Sequence, residues 1–212
     1  MHLTPDRLDA LAELELSCRS CVHWELDPVR RARIATDAEA AEAEKHAWLS
    51  TVLREWGSCG RVAMVDDVAV GYVVYAPAAF VPGADGYPTA PVSSDAVLLT
   101  TARVAPSYAG GGLGRMLVQG MARDLIERGG VRAVEAFGAS RGRRSCLVPT
   151  GFLAQVGFRT HRPHPTTPRL RMDLRSALTW RDEVEAAIDR LVKAVRPQPS
   201  PVPESNRESD GA

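Results

Sequence analysis

Val104-Ala-Pro-Ser-Tyr-Ala-Gly-Gly-Gly-Leu-Gly-Arg-Met-Leu117 reads, in order, as a strand end, a short turn, a glycine-rich loop and the first turn of a helix. Gly110, Gly111 and Gly112 leave consecutive backbone N–H groups without side-chain cover, and Gly114 follows at the helix start. A loop of this kind at the positive end of a helix holds phosphate oxygens without a dedicated basic residue. The bland alternative is a glycine-rich turn that binds nothing.

Outward from the loop, Leu113, Met116, Leu117, Met121 and Leu125 are expected on one helical face, and Gly129-Gly130 ends the helix. Ala96 to Val104 precedes the loop as a strand, and Val131 to Phe137 follows the helix as another. Strand, helix and strand in so short a span predict a parallel crossover. Arg61 to Val65 and Val68 to Tyr75, joined by Asp66-Asp67, predict a hairpin. Thr36-Asp-Ala-Glu39 has capping-box spacing and opens a helix running to Trp56, with Trp48, Val52 and Trp56 as its apolar stripe. Thr4 to Leu16 suits a short helix, and Asp27-Pro28 marks a turn. Pro77 to Pro91 is a proline-rich loop. Phe152 to Val156 predicts a short helix before a strand at Gly157-Phe158, whose partner is Arg169 to Leu174.

Two other phosphate loops fit less well. A dinucleotide fingerprint taken from Gly112 and Gly114 puts Leu117 where the third glycine belongs, and residues 104–109 separate strand from glycines where that turn should be tight. A P-loop needs Gly-Lys-Ser/Thr, which is missing here. The pattern Val104-x-Pro-x-Tyr-x-Gly-x-Gly-Leu-Gly-Arg115, followed by an amphipathic helix and the later Gly157-Phe158, resembles the GNAT superfamily of acetyl-CoA-dependent N-acetyltransferases. The resemblance runs over about residues 4–175 in element order and is sharpest at 102–117. It implies an α/β (α+β) fold: a mixed, mostly antiparallel sheet of about six to seven strands flanked by helices. A GNAT domain is expected over residues 1–175, an extra C-terminal amphipathic helix over 176–195, and a disordered tail over 196–212, where four prolines stand among polar residues.

What the resemblance implies for the site is residue-specific. Ala102, Arg103 and Val104 match the strand end whose backbone pairs with the pantetheine arm. Gly110, Gly111, Gly112, Leu113, Gly114 and Arg115 match the pyrophosphate loop. Ala109 stands where the family usually has Arg or Gln, which removes a side chain but no backbone donor. The oxyanion donor is implied near the backbone N–H of Val104. Glu135 aligns with the acceptor glutamate of members that acetylate protein N-termini. Its own setting, on an apolar strand with Ala133 and Phe137, supports a general base or, equally, an ion pair with an arginine. The family's tyrosine four residues before Gly-Phe is here Leu153. Tyr108, Cys146, His161 and His164 are the substitutes for proton donation, with both histidines better read as part of a surface turn.

Cys18-Arg-Ser-Cys21 supplies only two of the four ligands of a zinc site, and no thioredoxin-like strand precedes it. Lining of an acceptor pocket beside Trp24 is the preferred reading, and no metal is expected. Arg141, Arg143 and Arg144 form a dense basic cluster, either a contact for the 3′-phosphate of CoA or a solvated loop. Lys plus Arg equals Asp plus Glu, so net charge is zero and gives no support for nucleic-acid or anionic-membrane partners. The first residues lack the pattern of a secretory signal, and the longest apolar run, Val68 to Pro77, is too short to span a bilayer. Cytoplasmic location is the expectation. Only Met1-His-Leu3 precedes Thr4-Pro5, so the family's first strand is expected to be vestigial or absent, with the true start upstream as one explanation. The partners expected are acetyl-CoA and an amine acceptor, with the C-terminal helix a candidate dimer contact. The rival readings are a CoA-binding sensor without catalysis and a metal- or redox-responsive interaction protein using Cys18 and Cys21.

Overall fold

The computed structural model describes residues 1–10, 21–141 and 146–175. The expected C-terminal helix and tail, together with Cys18, Arg143 and Arg144, lie outside the described residues. The elements are, in chain order, α1 (Pro5–Ala10), α2 (Pro28–Arg33), α3 (Ala38–Trp56), β1 (Gly60–Val65), β2 (Val68–Pro77), β3 (Ala96–Val104), α4 (Leu113–Arg128), β4 (Ala133–Ala139), β5 (Val148–Pro149), α5 (Thr150–Gln155), β6 (Arg159–Arg162) and β7 (Arg169–Asp173). Seven strands form one sheet in the order β1-β2-β3-β4-β7-β6, with β5 beside β4. Most pairings are antiparallel, while β3 with β4 and β4 with β5 are parallel. The crossover through α4 is therefore the parallel unit that the strand–helix–strand order predicts.

Alternation along the strands sorts side chains into two cores. On β2, Val73 and Tyr75 join the core under α4 and α5, where Leu117, Met121, Leu125 and Leu153 lie. Tyr72, Val74 and Ala76 join the opposite core under α1 and α3, with Leu8, Leu49, Val52 and Trp24. That period of two is the sheet's own. The β1–β2 turn puts both Asp66 and Asp67 at positive φ, the pairing a two-residue hairpin loop needs. Residues 1–3 pair with the start of β1 through an isolated bridge: Leu3 N–H donates to Gly60 O and Val62 N–H to Met1 O, both at 2.9 Å.

Four local readings are corrected. The N-cap of α3 is Asp37, one residue after Thr36, and its carboxylate accepts from Ala40 N–H at 2.9 Å. The buried face of α3 includes Lys45 as well as Leu49 and Val52, because a buried carboxylate waits for it. Asp27-Pro28 opens helix α2 and is more than a simple turn: Asp27 accepts from Val29 and Arg30 N–H, and Pro28 occupies the first helical position. Met116 is half exposed, since it sits one residue before Leu117 and falls on the flank of α4.

Candidate active site

The site is built where two strands part. β3 and β4 pair only at Ala96↔Ala133, Val97↔Val134 and Leu98↔Glu135. Beyond Leu98, β3 continues to Val104 paired only with β2, whereas β4 continues to Ala139 beside β7 and β5. The V so formed contains a small cleft lined by residues 100–103 of β3 and 146–148 on the other wall. Ala102 and Arg103, expected to meet a pantetheine arm, lie on that wall, and Val104 ends the strand. The β2–β3 ladder slips between Val74 and Tyr75, so Thr100 has no partner in the register, and its hydroxyl donates to Val74 O at 3.1 Å. A bulge re-aims a strand and is frequent beside active sites. Nothing in the sequence marked Thr100, because its β-branched side chain suits an ordinary strand equally well.

At the open end of the V lies the glycine loop. Gly110 and Gly112 have φ of 85° and 84°, and a Cβ at either would meet nothing within 4 Å. Their requirement is thus conformational, and the space above the loop is open. Gly112 is the N-cap of α4 with no side-chain cap. The first N–H groups of a helix have no partner within it and carry its positive pole. Open space over such donors fits a pyrophosphate. Gly114 differs: its Cβ would stand 2.8 Å from a Phe152 ring carbon, so its smallness lets α4 close on α5. Arg115 is exposed and donates to Gln155 O at 3.1 Å, at the C-terminus of α5. Leu113 packs partly buried on the core under α4. Arg141 is exposed, just after β4.

Glu135, at the last register pair before the strands part, is fully buried. Its Oε2 accepts from Arg169 at 2.7 Å and from Ser93 N–H at 3.1 Å, and its Oε1 lies 3.4 Å from Arg171. Arg169 also donates to Pro91 O. Of the two roles open to Glu135, the geometry supplies the ion pair, and this pair straps the 91–93 loop to β7. Arg171 makes a two-pronged pair with Asp95 at 2.8 and 2.9 Å, which holds that carboxyl below its ordinary range. His161 Nε2 lies 3.9 Å from Glu135 Oε1 and is exposed. His164 Nδ1 accepts from Thr167 N–H at 3.1 Å, a turn-capping role. Leu153 is fully buried in the core under α4. Tyr108 packs partly buried on that same core.

The same face as Glu135 carries an aromatic wall. Phe137 stacks on Tyr87 with ring centres 4.6 Å apart, and Tyr87 stacks on Trp24 at 5.2 Å. Arg31 lies 2.9 Å from His23 Nδ1 and donates to His23 O at 2.9 Å. Since arginine only donates, His23 Nδ1 accepts, and Nε2–H donates to Tyr87 Oη at 2.6 Å. Burial, with Arg31 adding to it, presses the His23 pKa down to about 4, which keeps the ring neutral. Below this wall, Lys45 pairs with fully buried Glu25 and donates to Cys21 O at 3.2 Å. Cys21 Sγ lies 3.5 Å from Cys146 Sγ, and Trp24 Nε1 donates to Cys146 O at 3.1 Å. Cys21 thus lies beside Trp24, as the sequence reading expects, but its thiol partner comes from the far side of the chain.

Known proteins place this geometry. The profile of the acetyltransferase (GNAT) family matches residues 13–146. Among solved structures, aminoglycoside acetyltransferase AAC(6')-Ib in complex with coenzyme A and kanamycin is similar at 18% identity and TM-score 0.56, over 84% of this chain and 95% of that one. The loading GNATL domain of CurA from Lyngbya majuscula is similar at 14% identity and TM-score 0.52, over 83% and 97%. The PaiA N-acetyltransferase from Thermoplasma acidophilum, in complex with coenzyme A, is similar at 12% identity and TM-score 0.50, over 82% and 96%. No curated protein matches the chain. Among the described residues, no helix is long and apolar enough to cross a membrane.

Proposed function

The chain belongs to the GNAT acetyltransferase family, and from that premise we propose that it transfers an acetyl group from acetyl-CoA to an amine by direct attack in a ternary complex. The observation that carries this reading is the parting of β3 from β4 after Leu98 and Glu135, with an exposed glycine loop at its mouth. Residues 102–104 offer a strand edge to the amides of the pantetheine arm. The loop 110–112, with Leu113, Gly114 and Arg115 opening α4, offers backbone donors to the pyrophosphate. Arg141 is the described member of the basic cluster available to a 3′-phosphate.

The acetyl-CoA thioester supplies the electrophile, and the chain's residues do the positioning. Two substrates held in contact gain much of the rate from lost translational freedom alone. Backbone donors of β3, between the Thr100 bulge and Val104, would face the developing oxyanion, where preorganised N–H groups matter most. The acceptor would approach over the Trp24–Tyr87–Phe137 wall. Glu135 has two expected roles, taking the amine proton or pairing with an arginine. Its oxygens already accept from Ser93 and Arg169, so we assign it to holding the 91–93 loop.

Calorimetric titration with acetyl-CoA, CoA and NAD tests the cofactor. CoA species are expected to bind and NAD not; preferential NAD binding overturns the reading. A second reading, a CoA-binding sensor without turnover, is favoured by Leu153, whose hydrocarbon side chain offers no proton where the family resemblance implies a tyrosine. Release of free thiol from acetyl-CoA across an amine panel separates the two.

A further inference from the structure

We propose that Cys21 and Cys146 form a reversible disulfide, a modification site that joins the wall of the cleft to the segment bearing Trp24. The sequence alone pairs Cys21 with Cys18, three residues before it. The fold brings Cys21 to Cys146, across 125 residues, with the two sulfurs 3.5 Å apart. Both sides are already registered. Lys45 Nζ donates to Cys21 O, and the Trp24 indole donates to Cys146 O. The thiols are thus held by their own backbones beside one another. Neither cysteine is used in the proposed acetyl transfer, and the inference stands apart from that reading.

The chemistry needs an oxidant, which we take to be a peroxide. Cys21 keeps its proton, because the contact with Cys146 and burial both push its thiol pKa up. We place the attack on the Cys146 sulfur, which reacts as its thiolate, the nucleophilic form. Its sulfur takes one peroxide oxygen as the O–O bond breaks, giving a sulfenic acid and one water. The Cys21 sulfur displaces that oxygen, the S–S bond forms, and a second water leaves with the Cys21 proton. Two electrons pass from the two sulfurs to the peroxide. Added dithiol reverses the step by exchange.

A tetrahedral metal site needs four ligands, and the described pair supplies two. The disulfide is the simpler fit to two sulfurs in contact.

Trypsin puts the four cysteines on separate peptides, because arginines stand at 19, 54 and 144 and again at 30, 61 and 159. The full chain, reduced and then treated with hydrogen peroxide, is alkylated, digested and analysed by mass spectrometry. We expect residues 20–30 linked to residues 145–159, released by dithiothreitol. The melting temperature should rise on oxidation by about 5 °C or more, since a long loop is closed in the unfolded chain. Cys21→Ser should abolish both effects, and Cys18→Ser neither. A Cys18–Cys21 link, sulfinic acid on Cys146 alone, or full alkylation of both thiols after peroxide overturns the proposal. So does stoichiometric zinc in the isolated protein that Cys21→Ser loses. The peptide map is read on the unsubstituted chain, so a variant that fails to fold leaves the test intact.

Discussion

The glycine loop at residues 110–112 and the segment 21–31 are two walls made by opposite means. The loop is exposed, carries no side chains, and offers its backbone donors at the start of a helix. Segment 21–31 is dense with side chains whose polar atoms are matched: Glu25 with Lys45, His23 with Arg31 and Tyr87, and Trp24 with Cys146 O. A backbone site binds a common moiety and tolerates change around it. A wall of matched side chains is specific, and every member depends on its neighbours. Changes in the first wall should therefore act on ligand affinity, and changes in the second on stability before anything else.

The largest expected effect is on the second wall. Lys45→Met leaves the Glu25 carboxylate buried without its cation, which costs about 3–5 kcal/mol. Denaturant unfolding should show the loss, and adding Glu25→Leu should restore most of it. If Lys45→Met alone is neutral, the matched-wall description fails. Next is Glu135→Gln, which leaves Arg169 without its carboxylate and should cost about 3 kcal/mol. This variant also sharpens the assignment of Glu135. As the anchor of the 91–93 loop, it should keep the acid limb of the pH–rate profile; as a base, its loss would remove that limb.

The first wall yields a smaller but cleaner effect. Gly112→Glu puts a carboxylate over the donors and a bulky residue at φ of 84°. CoA affinity should fall about 100-fold, or about 2.8 kcal/mol. Asparagine tolerates the left-handed conformation, so Gly112→Asn should stay within several-fold of the original. Calorimetry of the two folded variants separates a conformational demand from a demand for open space. Equal losses in both would mean that the loop needs bare backbone, and unchanged affinity in Gly112→Glu would remove the loop from the site.

The two walls also differ in how far the sequence discloses them. The loop was legible because its requirement is local: glycines, a strand before and a helix after. The sheet was legible for the same reason, through period-two runs and the Asp66-Asp67 turn. Segment 21–31 was not, because its pairs join residues far apart. Lys45 reads as a solvent-facing lysine until Glu25 is placed beneath it, and Cys21 reads as half of a Cys-x-x-Cys until Cys146 arrives. Glu135 shows the middle case. Its burial follows from the apolar strand around it, but its partners Arg169 and Arg171 come from β7, which lies next to β4 in the sheet and three strands later in the chain. Gly114 was legible as conspicuous, but the packing reason for its smallness was not, because its neighbour Phe152 lies on another helix.

The smallest effect expected tests the proton positions in the second wall. His23 has its pKa pressed from 6.5 down to about 4, chiefly by burial and then by the Arg31 charge. The unfolded chain therefore binds a proton between these values that the folded chain refuses. Stability rises with pH wherever the unfolded state holds more protons. The His23 contribution is complete above about pH 6.5 and is lost progressively as pH falls toward 4. Partial exposure of the ring tempers the size of the effect. The urea midpoint should fall between pH 7 and pH 5, and His23→Gln should flatten that part of the curve. A glutamine amide can still donate to Tyr87, so the flattening would isolate the titration from the hydrogen bond. A midpoint that falls equally in both proteins would place the acid sensitivity outside this wall and leave the Arg31–His23–Tyr87 chain as packing alone.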